Sequence, residues 1–152
     1  MGRHAAGTVL SVTTAGSAAK DVVREFVAHL NAAAGDWSLL APDAIVIVNG
    51  TTPLSGRYPG SELIRGILVD TARVVIRALR IEVDTLIATG SRVAALLRVS
   101  GTDRDGRPFN ADGRLCGCVF GVRGGVIDEV VLFPDTSLIE TALYRRRYVE
   151  DV

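Results

Sequence analysis

The strongest constraint on this chain lies in its second half, where short alternating stretches are separated by glycine-bearing turns. Leu79, Ile81 and Val83 alternate with Arg80, Glu82 and Asp84, the period of a half-buried strand. Thr89-Gly90-Ser91 turns that strand into a second, 93–100. A polar hairpin over 103–113, containing Asp105-Gly106, leads to a third strand over 114–122. Arg123-Gly124-Gly125 then turns into a fourth, 126–133. Turns this short join antiparallel neighbours. The first half has a different period. Val22, Val23, Phe26, Val27 and Leu30 recur at helical spacing over 17–34, with Ser17 as the expected N-cap. The spacing predicts a short second helix over 37–40 and a β-branched strand over 44–48. After the turn-rich segment 49–60, Ser61 is expected to cap a helix reaching 72, and Asp135 to cap a closing helix over 136–147. Helices first and antiparallel hairpins later make an α+β layout, with helices on one face of a curved sheet.

Composition narrows the function classes. The chain has 152 residues, one domain by size, which we read as residues 17–147 between a flexible tail, 1–16, and a C-terminal tail, 148–152. Apolar residues at 48% and charged residues at 22% are those of a globular protein. Seventeen basic and seventeen acidic residues cancel, so nucleic-acid binding, which asks for a basic excess, is set aside. No apolar run reaches membrane-spanning length, and the apolar stretch behind Arg3 is too short and threonine-broken for a signal peptide. The mean hydropathy of +0.31 points to an interior larger than a packed core needs, or to a buried subunit interface. The two cysteines, Cys116 and Cys118, are too few for a zinc site and poorly spaced for a disulfide, as expected in a reducing cytoplasm.

Local motifs then point further. Gly35-Asp36-Trp37 follows the first helix, and the loop Thr52-Pro53-Leu54-Ser55-Gly56-Arg57-Tyr58-Pro59-Gly60 comes next. Val119-Phe120, Gly125-Val126-Ile127 and Asp135-Thr136 mark the final hairpin and helix. In this order the motifs resemble the SnoaL-like branch of the nuclear transport factor 2-like superfamily over residues 18–145. That superfamily includes ketosteroid isomerase, limonene epoxide hydrolase and polyketide cyclases. The resemblance implies a cystatin-like α+β barrel, a cone of curved mixed or antiparallel sheet with helices packed on its concave face. It also implies an apolar pocket, a homodimer formed through the sheet, and no metal or cofactor. The implied function is that of a small bacterial enzyme that cyclises, isomerises or opens an epoxide of an apolar polyketide-like or terpenoid-like substrate. The alternative is a non-catalytic ligand-binding or dimerisation protein of the same fold.

The relatives' catalytic groups carry over poorly. Val48 stands where the isomerases place their proton-moving carboxylate, and Cys118, a weaker hydrogen-bond donor, where they place their oxyanion acid. Arg98 matches the arginine of the epoxide hydrolases. Their two aspartates fall on Ser100 and Leu132, and their tyrosine and asparagine on Val46 and Val48.

Arg98 is therefore the first site candidate. If the face it shares with Leu96 and Ser100 lines the pocket, it is a fixed cation for a carboxylate or enolate; otherwise it is a surface arginine. Arg114, Cys116 and Cys118 share the next strand's face. A thiol beside two arginines would ionise readily and act as a nucleophile, though buried cysteines more often serve as small core residues. His29 borders the helix's apolar stripe and suits proton transfer near neutral pH, or is a half-buried surface histidine. Asp112 sits in the hairpin loop as a potential base over the mouth, or as a turn residue. Together with Glu129 it would serve a water-activating hydrolase. Tyr58 could give its hydroxyl to a substrate oxygen, and Trp37 form a pocket wall. Asp135 looks like a catalytic acid, but its place before Thr136 favours an N-cap. The run Arg145-Arg146-Arg147 is read as a solvated helix end.

Overall fold

The computed structural model describes residues 5–32 and 35–147, and side chains from Ala15 onward within them. The strands are β1 (Leu40–Val48), β2 (Gly56–Pro59), β3 (Arg77–Thr89), β4 (Arg92–Thr102), β5 (Pro108–Phe109), β6 (Leu115–Arg123) and β7 (Val126–Phe133). They form one mixed sheet in the order β2-β1-β7-β6-β4-β3, with β5 paired to the end of β4. β1 and β7 run parallel and every other pair antiparallel. The curled sheet and its few helices make the half-barrel that the motifs predicted.

Helix α1 (Ala5–Asn31) lies in the concave face. Ala19, Val23 and Phe26 project from it into a core built with Leu97, Cys118, Phe120, Ile127 and Val130 of the sheet. Val23 and Ile127 are fully buried, each contributing about 1.5–3 kcal/mol of transfer free energy. Phe26 meets Trp37 and Phe120 edge-on, with ring centroids 6.3 and 6.4 Å away. The end of α1 is fastened to the sheet edge by Asn31. Its side chain donates to the carbonyl of Ile81 at 2.7 Å and accepts the Ile81 N–H at 2.8 Å.

A second helical segment lines the cavity side of the half-barrel: α2 (Ser61–Leu63), a π-helical stretch (Ile64–Val69) and α3 (Asp70–Val75). The last segment repeats the design, with α4 (Thr136–Leu138) running into π-helical Ile139–Leu143. Ile76, Phe109 and Leu143 form a smaller apolar cluster between these lids.

Several local expectations give way. The first helix begins at Ala5 rather than Ser17, so residues 5–16 are helical and not a tail. That stretch holds no proline to stop it. The expected tail residues 1–4 and 148–152 lie outside the described residues. Residues 37–40 make a single turn instead of a helix. Asp36 caps it from the Ser38 N–H at 2.8 Å, and β1 starts at Leu40, which pairs with Ile127. Gly60, at φ 89°, and not Ser61 is the cap residue of α2, and it makes no side-chain cap bond. The closing helix stops at Leu143; Arg145 then pairs with Asp105, and Arg146 with Glu140 at 3.2 Å, so two of the three arginines are tied back to the fold. Asp135 does cap α4, accepting the Leu138 N–H at 3.0 Å. Among the described residues no helix is long and apolar enough to cross a membrane.

Candidate functional site

Alternation on the strands decides what the half-barrel encloses. On β4, Val93, Ala95, Leu97 and Val99 point inward, and on β6, Cys116, Cys118 and Phe120 do. Leu97, Val99, Cys116, Cys118 and Phe120, with Val46 and Val48 of β1 and Val130 and Leu132 of β7, floor a cavity of about 220 Å³. Phe26, Val27 and Leu30 of α1 form one wall, with Trp37 beside them. Leu68, Val69, Ala72 and Ile76 roof it from the second helical segment, and Leu138 and Ile139 from the last. Both π-helical stretches thus contribute roof residues. Of the sequence candidates, Trp37, Val46, Val48, Arg114, Cys116, Cys118 and Leu132 line this cavity together.

The others lie elsewhere. Arg98 belongs to the opposite, convex face with Leu96 and Ser100. Its Nε donates to the Gly113 carbonyl at 3.1 Å, and its guanidinium lies 3.9 Å from Glu82 and 3.6 Å from Asp84. Gly113, at φ 68°, leaves room for it, since a Cβ there would stand 3.0 Å from the Arg98 Nε. The strand alternation that sends Leu97 inward sends Arg98 outward, so a one-residue difference in register separates expectation from outcome. His29 turns its Nε2 toward Glu25 at 3.8 Å, at the border of the α1 stripe and off the cavity wall. Tyr58 packs against the core with its hydroxyl donating to the Leu54 carbonyl at 2.7 Å and does not line the cavity. Asp112 is exposed in its turn, and Glu129 pairs with Arg92 at 3.2 Å, so neither reaches the cavity.

Apart from Arg73, the polar lining residues of the cavity form one cluster, which is built stepwise. Asn110 is buried at φ 56°, a left-handed conformation that asparagine tolerates. Its side chain donates to the carbonyls of Val99 (2.8 Å) and Arg114 (2.9 Å) and accepts the Arg114 N–H (2.9 Å). It thereby fixes the backbone from which Arg114 projects. The Arg114 Nη1 stands 3.4 Å from Oδ2 of Asp135, while Oδ1 of the same carboxylate caps α4. Asp135 is the one carboxylate among the described lining residues. Reading it as a cap was correct but incomplete: the cap also faces the cavity, because the strand before it ends at the cavity rim. Its position two residues beyond an inward-facing strand, β7, was the available signal. Asn110 and the cavity-lining Arg73, whose Nη2 donates to the Leu30 carbonyl at 3.0 Å, carried none.

The thiols are not the activated nucleophiles that neighbouring arginines would have made. Burial pushes the Cys118 thiol well above its ordinary range, and Cys116 adds to the effect. Cys116 is also raised, by burial first and by the Asp135 carboxylate as a smaller contribution. With Arg98 on the far side of the sheet, both stay protonated near neutral pH and serve as apolar wall. Among the described residues no group of three or more histidine, cysteine or carboxylate side chains stands close enough to hold a metal ion.

No family model matches the sequence, and no curated protein matches it. Solved structures do. A nuclear transport factor 2-like protein of unknown function from Burkholderia pseudomallei superposes with a TM-score of 0.71 at 19% identity, over 83% of this chain and 97% of that one. A candidate SnoaL-like polyketide cyclase from Jannaschia sp. CCS1 gives 0.65 at 16% identity, over 88% and 96%. A protein with a ketosteroid isomerase-like fold from Catenulispora acidiphila, in complex with trimethylamine, gives 0.67 at 15%, over 83% and 94%. At these identities the likeness is one of fold, and it agrees with the resemblance carried by the loop and hairpin motifs. The chain has the nuclear transport factor 2-like fold, in the form found in SnoaL-like and ketosteroid isomerase-like proteins.

Proposed function

We propose that the protein is a small-molecule enzyme that moves a proton on an apolar carbonyl substrate, isomerising or cyclising it within the cavity. The observation that carries this reading is Asp135, the one carboxylate among the described lining residues, beside the Arg114 guanidinium in a mostly apolar cavity. A C–H next to a carbonyl gives its proton to the Asp135 carboxylate. The electron pair moves toward the carbonyl oxygen, where Arg114 donates a hydrogen bond to the developing negative charge. The carboxylic acid then returns the proton to another carbon, or the enolate carbon closes a ring. The apolar walls exclude water and hold the substrate in a reactive conformation. The polyketide-like or terpenoid-like substrate class rests on the family resemblance and on the lining.

Asp135→Asn tests the reading, because asparagine is as good an N-cap as aspartate but is no base. Incubation of a β,γ-unsaturated ketone in deuterated water should give deuterium uptake and double-bond migration by mass spectrometry. In Asp135→Asn the rate should fall by about 10²–10⁴ with the melting temperature unchanged. An unchanged rate would sink the proposal. A second reading is a ligand carrier without turnover. It is favoured by the fact that both carboxylate oxygens of Asp135 already have partners within the fold. Ligand binding with no exchange in the wild type would establish it.

The same proposal pairs two copies through the convex face of the sheet, where Leu96 and Phe133 are exposed. Sedimentation of the wild type and of Leu96→Lys tests it: a dimer that the lysine dissociates supports it, and a wild-type monomer overturns it.

A further inference from the structure

Trp37 and Arg73 line the cavity, and both also line a polar groove on the outer side of the second helical segment. Glu62, Arg65, Gly66 and Asp70 complete that groove. The Arg65 guanidinium stacks over the Trp37 ring at 5.2 Å from its centroid, so the indole has the cavity on one side and a cation on the other. Neither Arg65 nor Arg73 makes an ion pair among the described residues, although two carboxylates share the groove. Arg114, the other arginine of the cavity lining, differs, because it already faces Asp135. A cavity of about 220 Å³ is also smaller than the roughly 300–1,000 Å³ that hold a drug-sized ligand, so a ligand of that size must extend beyond it.

We propose that cavity and groove are two halves of one site, for an amphipathic acid. Its apolar body lies in the cavity and its carboxylate reaches past Trp37 to Arg65 and Arg73. Three features set this orientation. An anion beside Arg114 would meet the Asp135 carboxylate. The guanidinium groups adjoin the shared wall, one stacked on Trp37 and one lining both compartments, whereas Glu62 and Asp70 line the groove alone. Charge-assisted hydrogen bonds to a guanidinium are the strong ones, and Arg65 is free to make them. The inference rests on the proposed function only in taking the cavity as the ligand site. It fixes which end of the substrate faces Asp135, namely the end away from the acid.

Trp37 is the one tryptophan of the chain and stands at the junction, so its fluorescence reports on ligands directly. The test titrates decanoate, decanol and decylammonium into the protein while Trp37 emission is followed. Decanoate should bind about tenfold more tightly than decanol, as one charge-assisted hydrogen bond gives, and the preference should shrink with added salt. Arg65→Ala removes an exposed side chain stacked on the indole face, so the fold should persist. In that variant decanoate should fall toward the affinity of decanol, while decanol is nearly unchanged. Arg73→Lys should keep part of the preference. Asp135→Asn should leave the preference intact, which separates this inference from the proposed chemistry. Equal binding of acid and alcohol, tighter binding of the ammonium, or no binding of any of the three would overturn it. So would a preference that survives Arg65→Ala but is lost in Arg114→Gln.

Discussion

The two faces of the same strands were built for different ends. On the concave face Leu97, Cys118, Phe120 and Val130 are buried and surround a cavity whose charged lining residues are Arg73, Arg114 and Asp135. On the convex face Leu96 and Phe133 are exposed, and charges are spread out and paired: Arg98 with Glu82 and Asp84, Arg92 with Glu129, Arg123 with Asp128. Hydrophobicity alone does not distinguish the faces, since both are apolar at their centres. What distinguishes them is closure. α1 and the two lid segments cover the concave side, so a polar group there keeps its charge only with a partner, while the open side tolerates charge wherever water reaches it.

The sharpest way to break that contrast is the same substitution on each face. Phe120→Ala leaves a void beneath Phe26 and should cost about 3–5 kcal/mol, lowering the melting temperature by many degrees. Phe133→Ala, at a position 53% exposed, should change the stability of the protomer by only about 0.5 kcal/mol. Thermal or urea unfolding measures both, and similar losses would mean that the convex face is covered in solution.

Asp135 sharpens the contrast at the cavity rim. Asp135→Ala removes the Leu138 cap and should cost about 1 kcal/mol, whereas Asp135→Asn should cost almost nothing. Equal stabilities of the two variants would show that the cap contributes nothing.

The thiols give a kinetic measure of closure. Because burial raises both thiol pKa values in the folded state, less thiolate is present at pH 8 than in the unfolded chain. Iodoacetamide labelling of the native protein should be slower than that of free cysteine, and urea should restore the rate. The folded state holds these protons longer, so their contribution to stability is complete below the unfolded pKa of about 8.5 and is lost as pH rises above it. Labelling of the native protein as fast as free cysteine would refute the closed cavity.

The sequence is most legible where its pattern is local. The alternation from Leu79 onward, the glycine turns and the Asp135 cap all reappear in the structure. So do the inward faces of Val46, Val48, Cys116, Cys118 and Leu132. The limits of α1 were less legible, because no proline or glycine cluster marks its start and tertiary contacts settle where a helix ends. The site was legible only in part, for two physical reasons. Strand periodicity gives two faces but does not say which is covered, and that ambiguity put Arg98 and Ser100 inside. Asn110 and Arg73 act by hydrogen-bonding backbone carbonyls remote in sequence or fixed by loop geometry, and spacing does not encode such bonds.

The smallest expected effect concerns that arginine. Arg98 is a third exposed, it lies 3.6–3.9 Å from two carboxylates, and its one close bond is to the Gly113 carbonyl at 3.1 Å. Ion pairs this long at a solvated surface contribute about 0–1 kcal/mol and weaken further with salt. Arg98→Ala should therefore shift stability by no more than about 1 kcal/mol. It should also leave ligand affinity and deuterium exchange at their wild-type values, because the sheet separates it from the cavity. The Gly113 turn is the place to look for what change there is, since the arginine ties that turn to β4; amide exchange at 112–114 should quicken slightly. A large loss of ligand binding in Arg98→Ala, with the fold intact, would place this guanidinium in the site after all and reverse the assignment of the two faces.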